Sequence, residues 1–79
     1  MRWIFKLIEK SKRIIIYAYA RESDDLDGVI SFDTQTGKTT VGKPCAKDKG
    51  KNYCIEKAIE HFQRVIEEDF PPERHVDCG

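Results

Sequence analysis

Long apolar runs are missing from this chain. The longest, Ile14 to Ala20 and Trp3 to Ile8 with Lys6 inside it, fall far short of the roughly 20 residues that cross a bilayer. A membrane-spanning helix is therefore excluded. A charged residue sits at position 2, but no long apolar stretch or small-residue cleavage site follows it. The expectation is a cytoplasmic protein without a secretory leader. Cysteine is scarce and odd in number (Cys45, Cys54 and Cys78), which fits a reducing compartment better than a disulfide framework. An excess of one charge is also lacking. Fourteen basic and fourteen acidic side chains cancel, which argues against a strongly basic nucleic-acid binder. Glycine-rich phosphate loops are absent: Gly37-Lys38-Thr39 has no preceding glycine where such a loop requires one. No serine or cysteine stands at a recognisable spacing from a base and an orienting acid. A chain this short also has little wall for a deep pocket. The expectation is that it is not an enzyme.

Seventy-nine residues make one domain, of a size that often needs a staple or a partner. Charge is laid out in alternating blocks. Residues 1–21 carry a balance of +5, residues 22–36 of −5, residues 37–51 of +4 and residues 52–79 of −4. Such blocks suit pairing within or between chains better than a uniform field.

The strongest pattern is helical. Ile55, Ala58, Ile59, Phe62, Val65 and Ile66 form one stripe a little over 100° wide, opposite a charged face with His61 on it. The spacing predicts a helix over about 52–69, with Asn52 as N-cap, or Asp48 if it starts earlier, and Pro71-Pro72 as the stop. Glu67, Glu68 and Asp69 sit at its C-terminal end, where the macrodipole disfavours anions. Upstream, strands are expected at about 2–9, 13–21, 28–33 and 39–42. They are joined by turns at Lys10-Ser11-Lys12, Asp27-Gly28 and Thr36-Gly37. The tail, 71–79, has no periodicity. The fold class is α+β: a three- or four-stranded antiparallel β-meander followed by one C-terminal amphipathic helix packed on one sheet face.

Both long strands are apolar on both sides. The small Ala18 and Ala20 would admit a helix closely, which assigns Ile14, Ile16, Ala18 and Ala20 to the helix side. Ile4, Ile8, Ile15, Tyr17 and Tyr19 are then candidates for an uncovered face. An apolar patch of that kind marks an interface, so the leading expectation is a protein-interaction module. Its partner would be itself, as a homodimer, or another protein.

Two alternatives come from other residues. Lys6, Lys10, Lys12 and Arg13 in the first hairpin and Lys47, Lys49 and Lys51 before the helix, near Tyr17 and Tyr19, have the makings of a stacking platform for single-stranded nucleic acid. Cys45, Cys54, His75 and Cys78 have the ligand types of a structural zinc site, although the eight residues between Cys45 and Cys54 are wider than the usual knuckle. Without zinc, no cofactor is implied. Ser23-x-Asp25-x-Asp27-Gly28 resembles the start of a calcium loop, but Thr34 stands where its bidentate glutamate belongs.

Overall fold

The computed structural model describes residues 2–77. Five strands form one sheet: β1 (Arg2–Lys10), β2 (Ile14–Arg21), β3 (Gly28–Asp33), β4 (Lys38–Lys43) and β5 (Glu73–Asp77). A 3-10 turn (Ala46–Asp48) and one helix, α1 (Asn52–Glu67), lie between β4 and β5. Strand order is β4-β3-β2-β1-β5, with every neighbouring pair antiparallel. The expected α+β class and meander are present, but the strand count is five rather than three or four.

The fifth strand comes from the segment expected to be an aperiodic tail. Glu73 to Asp77 pairs with β1 in the register Arg2↔Asp77 to Lys6↔Glu73. Only Val76 in it is buried and apolar. It forms because β1 offers a row of unpaired backbone groups, and ladder bonds need no hydrophobic pattern.

Since β4 and β5 lie at opposite edges, the chain between them must cross the whole sheet. The helix makes that crossing. Its 16 residues span about 24 Å at 1.5 Å each, against roughly 19 Å between the outer strands of a five-stranded sheet. No side chain caps its start, where Lys51 rather than Asn52 is the N-cap residue. Its end is marked by Asp69 and Phe70, both at positive φ (58° and 57°). The anionic C-terminal cluster finds part of its explanation here: Glu68 accepts a hydrogen bond from Arg74 Nε of β5 at 2.9 Å.

The helix packs on the face formed by Trp3, Phe5, Tyr17, Tyr19, Ile30 and Val76. Phe62 sits at its centre, edge-on to Phe5 (5.4 Å between centroids) and to Tyr17 (5.3 Å). Two tyrosines of β2 tie down the crossing chain at both ends. The Tyr17 hydroxyl donates to the Pro71 carbonyl after the helix. The Tyr19 hydroxyl accepts from the Cys45 N–H before it, at 3.1 Å. Burial pushes both phenols up to about 12. Gly28, directly opposite Tyr19, makes this possible. A Cβ there would lie 2.4 Å from the Tyr19 ring and 2.9 Å from the Cys45 nitrogen.

Candidate functional site: the open sheet face

Directly opposed residues in antiparallel strands share a face. The register sets Phe5 against Tyr19, Leu7 against Tyr17, and Ile15 against Phe32. Ile15, Tyr17 and Tyr19 therefore lie beneath the helix, with Tyr17 and Tyr19 at 0% exposure. Their assignment to an uncovered face is corrected, and with it the placing of Ile14, Ile16, Ala18 and Ala20 on the helix side. The physical reason is area. Burying aromatic rings under the helix removes far more apolar surface from water than burying alanines does.

The face away from the helix carries Arg2, Ile4, Lys6 and Glu9 of β1, Ile14, Ile16, Ala18 and Ala20 of β2, and Val29, Ser31 and Asp33 of β3, with Ile8 at the bulge between Lys6 and Glu9. One end of it is covered. The loop after β2 folds back so that Asp24 and Leu26, with Lys6, Glu73 and His75, line a shallow recess over Ile4. Ile4 is consequently only 4% exposed. The other end is bare. Ile8 is 59% exposed and Ile14 38%, with Ile16 and Ala18 half-buried beside them. The register shifts between Leu7 and Glu9, so Ile8 is the extra residue of a bulge. Of the five expected interface residues, Ile8 alone is a prominent surface group on the open face.

The basic residues do not form one platform. Lys12 and Arg13 lie at the hairpin tip before β2, where their carbonyls accept from the Thr34 hydroxyl. Lys10 lies over the Phe70 ring at 5.8 Å, and Lys6 is on the open face. Lys47, Lys49 and Lys51 are at the other end of β2, where Lys47 Nζ donates to the Glu22 carbonyl. The eight residues of β2 separate the two clusters by about 23 Å. Tyr17 and Tyr19, the expected stacking groups, are under the helix.

The metal-ligand types are also dispersed. Cys45 is buried on the helix side, beside Tyr19. His75 is exposed on the open face, where its Nε2 lies 2.9 Å from Glu73. Cys54 opens the helix, and Cys78 lies outside the described residues. No group of three or more potential metal ligands occurs among the described residues. In the calcium-like loop, Asp27 accepts from the Ala46 N–H at 3.1 Å and Ser23 from the Asp25 N–H.

One buried polar contact had no local sequence signal. Arg21 Nε meets Asp48 Oδ1 at 2.5 Å, with Asp48 0% exposed. Arg21 also donates to the Lys47 carbonyl, so it holds the 3-10 turn to the end of β2. The bond to Asp48 raises the Arg21 guanidinium further above its ordinary value. Burial, foremost, pushes the neighbouring Cys45 thiol up, so it stays protonated and is a poor nucleophile. His61 is partly buried against Trp3, ring centroids 4.4 Å apart, and burial lowers its pKa.

Comparison with known proteins returned no matching family model, no matching curated protein and no matching solved structure. Among the described residues, no helix is long and apolar enough to cross a membrane.

Proposed function

We propose that this protein is a small interaction module that self-associates through the bare end of its open sheet face. The observation that carries this reading is the exposure of Ile8 and Ile14, two large apolar side chains, at the end of the sheet that the loop after β2 leaves bare. Ile8 is the unpaired residue of the β1 bulge, where the ladder to β2 is interrupted. Two copies meeting across a two-fold axis would each cover the other's isoleucines. Nucleic-acid binding has weaker support, since the basic clusters lie far apart and the tyrosines are internal.

The test is sedimentation velocity on the wild type and on the Ile8→Asp/Ile14→Asp variant. The variant is expected to stay folded and to associate more weakly than the wild type, having lost the open-face contact. A monomeric wild type at hundreds of micromolar, or a folded variant that associates as strongly as the wild type, would overturn the reading.

A further inference from the structure

The two outer strands, β4 and β5, each leave one backbone edge unpaired within the sheet. Such edges invite pairing and are commonly blunted by charge. Here the ends of the two edge strands carry opposite charges, with Arg74 and His75 lying between the two carboxylates of β5. Lys38 and Lys43 stand at the ends of β4, which has no acidic residue, while Glu73 and Asp77 stand at the ends of β5. All four are exposed, and all four belong to the face away from the helix.

Strand direction decides how these edges could meet. Four successive antiparallel steps separate β4 from β5, so the two strands run the same way. A second copy displaced sideways, without turning over, would bring its β5 alongside β4 in parallel, with both helices on one side. Lys38 then lies next to Glu73, Lys43 next to Asp77, and Val41 next to Val76. β4 is one residue longer than β5, and its register slips between Val41 and Lys43. The extra residue is Gly42, so both charged ends match.

The backbone phase agrees. The Leu7 N–H to Pro72 carbonyl bond shows that Pro72, and with it Arg74 and Val76, turn toward β1. Glu73, His75 and Asp77 therefore turn outward. Carried across the sheet, the same alternation turns Thr39 and Val41 outward on β4. In a parallel ladder each outward residue bonds the two that flank its opposite number, giving about four bonds at this junction. The Arg74 guanidinium, which donates to the His75 carbonyl, must release it.

Like-with-like pairing is disfavoured. Antiparallel contact of β4 with a second β4 sets Lys38 by Lys43, and contact of two β5 strands sets Glu73 by Asp77. Like charges opposed across strands are destabilising. We infer that copies of this chain join head to tail, β4 of one to β5 of the next. This contact is separate from the open-face contact. Because it uses a different surface on each copy, it extends beyond a dimer.

The test is a charge exchange followed by sedimentation. Lys38→Glu/Lys43→Glu makes both edges acidic, and Glu73→Lys/Asp77→Lys makes both basic. The wild type should associate beyond a dimer with rising concentration, and less so in high salt. Each variant alone should associate about tenfold more weakly, and an equimolar mixture should recover the wild-type behaviour. Thermal melts verify that both variants fold. A wild type that never exceeds a dimer, variants that assemble as it does, or a mixture no larger than its components would each overturn the inference. Repeating the series in the Ile8→Asp/Ile14→Asp background separates the two contacts, since only the edge contact should persist there.

Discussion

Replacing Arg21 by alanine is expected to remove a large part of this protein's stability. Asp48 is fully buried, and its Oδ1 rests on Arg21 Nε at 2.5 Å while Oδ2 has no hydrogen-bond partner. Without the guanidinium, a carboxylate stays out of water with nothing to offset it. Breaking one side of a buried pair costs about 3–5 kcal/mol. A chain of this length has about 4–12 kcal/mol in total, at 0.05–0.15 kcal/mol per residue. The variant should therefore be marginal or unfolded at room temperature. Replacing the pair together, as Arg21→Met/Asp48→Leu, removes both charges and should recover most of the loss, because the desolvation penalty goes with them. Equilibrium urea denaturation followed by circular dichroism measures both. If Arg21→Ala loses less than about 1 kcal/mol, or the double variant is no better than the single, the pair does not anchor the 3-10 turn as argued.

Tyr17→Phe and Tyr19→Phe should each lose about 1 kcal/mol in denaturant unfolding, since each removes one hydrogen bond that pins the crossing segment. The pH dependence follows from the same phenols. They ionise at about 12 when folded and 10 when unfolded, so above pH 10 the unfolded chain holds fewer protons. Stability should be constant below pH 10 in this respect and fall from 10 to 12 by up to about 1.4 kcal/mol per pH unit per tyrosine. Melts across that range, with tyrosinate absorbance as a second readout, verify it. Cys45 should resist a thiol reagent in the native state and react once urea unfolds the chain, while the part-exposed Cys54 reacts sooner. Equal native rates would contradict the burial of Cys45.

The helix was legible because its stripe has one period and one polar side. Ala58, Phe62 and Val65, all on that stripe, are the residues it buries. β1 and β2 were legible as strands but not as oriented ones. With Ile15, Tyr17 and Tyr19 on one side and Ile14 and Ile16 on the other, alternation alone does not mark the inside. The choice is made by register, here Leu7↔Tyr17 with a bulge at Ile8, and register is a property of two strands together. β5 escaped notice because Glu73-Arg74-His75-Val76-Asp77 offers one buried apolar side chain, and its place is decided by backbone pairing with residues some 70 positions away. Arg21 and Asp48 are 27 residues apart, and no local spacing connects them. At the site, Ile8 is legible as a surface candidate from the alternation of β1, while Ile14 becomes one only when the register with β1 and β3 orients β2.

The pairing of β5 with β1 has a kinetic consequence. The β1–β2 hairpin closes a turn of three residues, whereas Trp3 meets Val76 only after about 70 residues have been brought round. At (3/2)RT ln n, that second closure costs roughly 3 kcal/mol more chain entropy than the first. Contacts of such long range form late, after local hairpins have reduced the distance to be closed. The meander can assemble early, and β1 then waits with a bare edge until the last strand arrives. Native-state exchange should open this seam first, with the Arg74 and Val76 amides losing protection below the free energy that melts Tyr17 and Ile30.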